Sequence, residues 1–245
     1  MPKKRQMNAN TESVDNYLKA ILDLGGAEER RVSSTSLAER LCVAPASITN
    51  MLQRLAASER ALVEYERHRG VRLSDEGKRR ALEVLRHHRL IETFLYRILD
   101  YPIEEVHEEA ERLEHFISER FEERIAAKLG HPKIDPHGHC IPELDGKMAR
   151  REALPLAHSE GNGPFLVESL EDHDSQILKL LRTSGIRPGL RLQVKGRSFG
   201  HFRVKAGTKT VDLTPPAALA VRVRPGGVDH ARQRLHSDSP RHRAR

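Results

Sequence analysis

Ser34-Thr35-Ser36-Leu37-Ala38-Glu39-Arg40-Leu41-Cys42-Val43-Ala44-Pro45-Ala46-Ser47-Ile48-Thr49-Asn50-Met51-Leu52-Gln53-Arg54-Leu55 reads as two short amphipathic helices separated by a break. Ser34 or Thr35 caps the first helix, whose inner face is Leu37, Ala38 and Leu41. Val43-Ala44-Pro45 interrupts the pattern, and Pro45 suits a helix start because its missing N–H has no helical partner there. Ala46 to Ala57 forms the second helix, with Ile48, Met51, Leu52 and Leu55 turned inward. Ser47, Thr49, Asn50 and Gln53 are then left facing outward. These side chains hydrogen-bond base edges, Asn and Gln bidentately to adenine, and Arg54 one turn further on suits phosphate. Cys42, among apolar residues before the turn, reads as a small buried hydrophobe.

The flanking sequence completes the unit. Upstream, Val14, Tyr17, Leu18, Ile21, Leu22 and Leu24 follow helical spacing, and Gly25-Gly26 stops that helix. Downstream, Ala61–Tyr65 and Val71–Ser74 are short extended runs around a polar turn ending in Gly70. Three helices and a hairpin in this order make a winged helix-turn-helix, whose wing tip offers Arg67 and Arg69 to phosphates. A basic balance fits that partner: 42 Lys and Arg stand against 35 Asp and Glu. No apolar run reaches bilayer-spanning length, no apolar segment follows the basic N-terminus, and the two cysteines make no disulfide framework. The cytoplasm is the expected compartment.

Ser74-Asp75-Glu76 caps a long helix, Glu76 to Leu99, and a second is expected from Ile103 to Leu129, closed by Gly130 and Pro132. On that second helix His107, Glu111, Glu114 and His115 share one face, and the preceding helix offers His88 and Glu92 at i, i+4. Carboxylate and imidazole groups one turn apart on paired helices converge on metal ions in helical di-metal proteins. With no thiol in the set, the donors suit Mn²⁺, Fe²⁺, Co²⁺ or Zn²⁺. His137-Gly138-His139-Cys140 lies in a Pro/Gly loop whose adjacent residues do not aim at one point, so no local site is expected there. Beyond a loop-like stretch, short β-type runs (Phe165–Val167, Arg191–Val194, Phe202–Val204, Thr210–Leu213, Ala220–Val223) around one helix, Ser175 to Ser184, read as a small barrel. Other function classes stay open on the residues alone. Glu/His clusters also build di-metal enzymes, and the set could be structural in a metal-independent DNA-binding protein.

The chain resembles the iron- and manganese-dependent repressors typified by the diphtheria toxin repressor over roughly residues 11–225. The resemblance rests on Ser13-Val14-Asp15-Asn16-Tyr17-Leu18-Lys19-Ala20-Ile21, His88-Arg89-Leu90-Ile91-Glu92, Val106–His115, and the loop Asp135-Pro136-His137-Gly138 with Ile141-Pro142. It implies a mainly α fold with small β, divided as follows: 1–80 winged helix-turn-helix, 81–146 helical metal-binding and dimerisation domain, 147–163 linker, 164–225 SH3-like domain. Residues 226–245, rich in Arg, His, Ser and Pro with little to bury, read as a disordered basic tail. It implies a primary metal site of Asn16, Glu111, Glu114 and His115. An ancillary site would use His88, Glu92 and His107, with His173 and Gln176 lent by the SH3-like domain. Iron-responsive members carry Cys at the position of Glu111 and Met at that of Asn16; Glu111 is similar to the manganese-responsive branch. The implied protein is a homodimeric, Mn²⁺- or Fe²⁺-activated repressor of metal-uptake genes on palindromic double-stranded DNA. Zn²⁺, Co²⁺ or Cd²⁺ would substitute in vitro, and no catalytic residue, organic substrate or membrane is implied.

Overall fold

The computed structural model describes residues 9–26, 28–149, 151–171 and 174–226, in two compact units divided after Arg151. The expected ligand His173 and all but the first residue of the expected basic tail lie outside the described residues.

The first unit opens with α1 (Ala9–Gly25), α2 (Ser34–Leu41) and α3 (Pro45–Ala56), followed by the antiparallel pair β1 (Val63–Glu66) and β2 (Gly70–Leu73). Ser33, one residue before the expected cap, closes the N-terminus of α2 by accepting from the Ser36 N–H. Leu18, Leu37, Ile48 and Leu52 are fully buried in one core with Tyr17, Ile21, Leu55, Val63 and Val71. Each such burial stabilises by roughly 1.5–3 kcal/mol, so this core fixes the orientation of α3. Cys42 departs from expectation. It ends α2 in the left-handed conformation (φ 53°), which turns its side chain out to solvent.

α4 (Asp75–Ile98) is capped by Ser74 and is the strut of this unit. Its first turns join the winged-helix core through Ala81; further along, Leu90, Ile91 and Leu95 pack on the elements that follow. The expected single helix over Ile103–Leu129 is two, α5 (Val106–Leu113) and α6 (Glu119–Lys128). The reason is Ser118, which sits extended (φ −92°, ψ 154°) and caps α6 by accepting from the Phe121 N–H.

The second unit has β3 (Leu154–Pro155), β4 (Phe165–Leu170), α7 (Ser175–Thr183), β5 (Arg191–Ser198), β6 (His201–Ala206), β7 (Lys209–Leu213), α8 (Pro215–Ala220) and β8 (Val221–Pro225). The sheet order is β3-β8-β4-β5-β6-β7, antiparallel throughout. Among the described residues this is an open sheet of SH3-like character, not a closed barrel. Its core takes the alternate residues Leu192 and Val194, then Phe202, Val204 and Ala206.

Two glycines permit the close approaches that set the wing and the start of α4. Gly70 has φ +88°, and a Cβ there would lie 2.4 Å from the Val32 carbonyl oxygen, opposite the Val32–Val71 bridge. At Gly77 a Cβ would lie 1.9 Å from the Leu62 carbonyl oxygen. Gly77→Ala therefore forces α4 away from Leu62, the residue before β1, and is expected to destabilise the unit by about 1–3 kcal/mol, the range of overpacking. Urea denaturation checks this; an unchanged midpoint would contradict the close packing.

Candidate metal centre and DNA-reading surface

α4 places His88 and Glu92 one turn apart on its buried face. α5 places His107 and Glu111 opposite them, and the turn that ends α5 carries Glu114 and His115. Glu92 is 0% exposed and Glu114 1%. An isolated carboxylate is not left charged at such depth, so each must meet a cation or a donor.

The donors fall into adjoining groups. His88 Nδ1 lies 2.5 Å from Glu114 Oε2 and 3.9 Å from Glu111 Oε1. On the other side of the ring, His88 Nε2 lies 3.0 Å from Glu92 Oε1 and 3.1 Å from His107 Nδ1. His115 Nε2 is 3.0 Å from Asn16 Oδ1 and 3.3 Å from Glu114 Oε1. All seven expected ligands of the first unit are thus brought together. The implied division into two separate sets is blurred, because His88 stands between them and touches both.

Three further residues join the expected ligands. The first is Lys19, one turn along α1 from Asn16, whose ammonium donates to Glu111 Oε1 at 2.7 Å and to Glu114 Oε1 and Oε2 at 2.7 and 2.9 Å. The others are Asp135 and His137. Their loop is folded back by His139 N–H to Asp135 Oδ1 and Ile141 N–H to the Lys133 carbonyl. This sets His137 Nδ1 3.6 Å from Glu92 Oε1, and Glu92, Asp135 and His137 form a third buried donor group. His137 and His139 do not converge on each other, as the sequence implied; His137 is aimed at a distant helix.

Charge makes the centre a cation site. Burial works against a charged Lys19, but Glu114 and Glu111 hold its pKa above the ordinary lysine value. Burial likewise opposes protonation of His88, yet Glu92 and hydrogen bonds with Glu114 and Glu92 push it up to about 10. Burial raises Glu92, and His88, His107 and His137 more than reverse this, holding it well below the usual carboxylate range. Glu92 Oε2 is buried with no hydrogen-bond partner, while Asp135 Oδ2 lies 3.5 Å from both Arg89 Nε and His139 Nδ1. A carboxylate oxygen left this way on Glu92, whose other oxygen lies beside imidazole nitrogens, fits a divalent ion of the Mn²⁺/Fe²⁺ class, which prefers such donors. Around the centre, His87 lies 3.3 Å from the Glu114 carbonyl through Nδ1 and 3.0 Å from Glu122 through Nε2, steadying the turn that bears Glu114. Arg80 pairs with Asp15 at 2.5 Å, and Asp15 Oδ2 lies 3.6 Å from His115 Nδ1.

In the winged-helix part, α3 exposes Ser47, Asn50, Gln53 and Arg54 in the expected outward row. Thr49 is half-buried, and its hydroxyl donates to the Pro45 carbonyl at 3.3 Å. Arg67 and Arg69 are exposed at the wing, where Arg69 pairs with Glu66 at 3.0 Å. In the second unit Gln176 is exposed at the start of α7.

A winged helix joined by one strut to a buried oxygen–nitrogen donor cluster defines a metal-responsive DNA-binding regulator. Residues 10–71 match the description "Iron dependent repressor, N-terminal DNA binding domain", and residues 74–143 match "Iron dependent repressor, metal binding and dimerisation domain". The iron-dependent repressor IdeR of Mycobacterium leprae (strain TN) is 30% identical over 232 residues, 89% of this chain and 99% of the relative. A manganese-dependent transcriptional repressor solved in complex with manganese is 39% identical, with a TM-score of 0.79 over 86% of this chain and 98% of its own. The structure of ScaR with bound Zn²⁺ is 29% identical, with a TM-score of 0.73 over 86% and 99%. The chain belongs to the iron-dependent repressor family, whose members are DNA-binding, dimerising, metal-dependent repressors and not enzymes. No helix among the described residues is long and apolar enough to cross a membrane.

Glu92 is common to two of the buried donor groups. Glu92→Gln keeps its volume and removes its charge, and should lower the number of divalent ions retained per chain, read by elemental analysis after desalting. An outer-shell change in such sites already costs about 10–100-fold in affinity. Unchanged stoichiometry would remove Glu92 from the donor set.

Proposed function

We propose that this chain is a Mn²⁺-activated repressor that binds palindromic operators of metal-uptake genes as a homodimer. The observation that carries the reading is the run of contacts from Asn16 of α1 through His115 to Glu114 in the turn after α5, with Glu111 of α5 joined to Glu114 through Lys19 and His88, without a thiol. Those four would hold the primary ion, and His88, Glu92 and His107 the ancillary one, with Asp135 and His137 as further donors. His173 and Gln176 of the C-terminal domain remain proposed contributors. The domain division proposed is 1–80, 81–146, 147–163, 164–225 and 226–245. A bound ion supplies a multivalent cross-link between helices; it has no reaction to promote.

The protein's own residues then transmit the event. α1 carries Tyr17, Leu18 and Ile21 in the same core as Ile48, Leu52 and Leu55 of α3. Fixing Asn16 fixes α1, and α1 fixes the reading helix with Ser47, Thr49, Asn50, Gln53 and Arg54, while Arg67 and Arg69 take phosphates. Dimerisation is assigned to the helical part, where Tyr96, Leu99, Phe116 and Phe121 are apolar yet 43–61% exposed. Two reading helices at a fixed separation require matched half-sites.

An iron-responsive reading has its own support in the 30% identity to IdeR. Glu111 and the 39% identity to a manganese-dependent repressor favour Mn²⁺. Electrophoretic mobility shift on a palindromic site is expected to tighten about 5–150-fold with Mn²⁺, the usual span of an effector's coupling. Equal affinity with and without Mn²⁺ defeats the proposal, and a response to anaerobic Fe²⁺ alone selects the iron reading.

A further inference from the structure

The centre already contains a cation that is part of the chain. Lys19 Nζ makes three contacts, at 2.7, 2.7 and 2.9 Å, all to Glu111 and Glu114. An ammonium has three N–H donors, so this pair of carboxylates occupies all of them. The side chain is 15% exposed and Glu114 is fully buried, so the contact with Glu114 is largely shielded from water, while Glu111 is 38% exposed. Such a pair is not a surface ion pair of negligible worth.

A divalent ion shared by Glu111 and Glu114 sits about 2.0–2.2 Å from their oxygens. The ammonium sits 2.7 Å from the same two Oε1 atoms. Both cannot be held at once: the positions nearly coincide, and like charges this close repel strongly in a partly desolvated site. Glu114 Oε1 is also the oxygen that faces His115 Nε2, which in turn faces Asn16. Asn16 and Lys19 are i, i+3 on α1 and share a face of that helix. One helix therefore brings both a candidate ligand and the group that competes with the ion.

We propose that Lys19 is a built-in counter-cation of the metal centre, which a divalent ion must displace from Glu111 and Glu114 on binding. The inference rests on the metal-activated reading above. In the metal-free protein Lys19 neutralises the carboxylates and anchors α1 to α5. In the loaded protein that anchor is exchanged for one through Asn16, so Lys19 raises the metal concentration at which the protein responds.

Two measurements test this. In wild type, reductive methylation followed by mass spectrometry should show Lys19 protected without metal and labelled several-fold faster with saturating Mn²⁺, against the exposed Lys195 and Lys205 as references. Isothermal titration should show that Lys19→Met binds Mn²⁺ at least about tenfold more tightly, since the loss of one competing charge is read directly as affinity. Lys19→Arg, which keeps the charge, should stay near wild type. Unchanged Lys19 labelling in a wild type that binds Mn²⁺ overturns the proposal even if Lys19→Met does not fold. Unchanged or weaker Mn²⁺ binding by folded Lys19→Met overturns it as well. If wild type binds no Mn²⁺, or Glu111→Ala binds as wild type does, the metal reading of this carboxylate pair fails first and the Lys19 proposal falls with it.

Discussion

Glu92 and Glu114 are carboxylates with almost no exposure, packed between α4 and α5, and charge at that depth has to be met by something. Much of the first unit is arranged around meeting it. Lys19 reaches across from α1, His88 is held between two carboxylates, and the 133–141 loop folds back to bring Asp135 and His137 to Glu92. Replacing such a cluster with leucines would cost little in stability and is often favourable. Its presence in a helical core therefore points to a role beyond holding the fold together.

α4 makes that role transmissible. It is 24 residues long, which at 1.5 Å per residue is roughly 36 Å. One end is fixed by the contact of Gly77 with Leu62 and by Ala81 in the winged-helix core; the middle carries His88 and Glu92. α1 lies against it, with Asp15 paired to Arg80 of α4. The donor cluster and the reading helix thus share two rigid elements.

The helix-turn-helix and its wing were legible in the sequence because they are governed by short-range rules: apolar periodicity, Pro45 at a helix start, turn residues at the wing. The expected row Ser47, Asn50 and Gln53 emerges exposed for that reason. The ligands at helical spacing were legible for the same reason. What escaped depends on distance along the chain. Lys19 reads as a solvent-facing lysine on an amphipathic helix until α5 is packed against it. His137 fails any test of convergence with its neighbours because its partner Glu92 lies on another element. The break before α6 was hidden because no Gly or Pro marks it between Ile103 and Leu129, and one serine in an extended conformation decided it. Cys42 was misread because apolar neighbours in sequence do not specify a side chain's direction when the backbone turns left-handed.

The position of α1 explains how an ion could alter DNA binding without touching it. Tyr17, Leu18 and Ile21 commit one side of α1 to the core that seats α3. Asn16 and Lys19 commit the adjoining side to α5. A ligand shifts an equilibrium only by its differential affinity for the two states. An ammonium at Glu111 and Glu114 holds α1 through Lys19, whereas a divalent ion at the same oxygens would hold it through Asn16, so the two cation occupancies of one carboxylate pair need not favour the same setting of the helix. The coupling required is small, about 1–3 kcal/mol. Exchange of one cation for another in a buried site is sufficient to supply it, because charge in such surroundings is poorly screened.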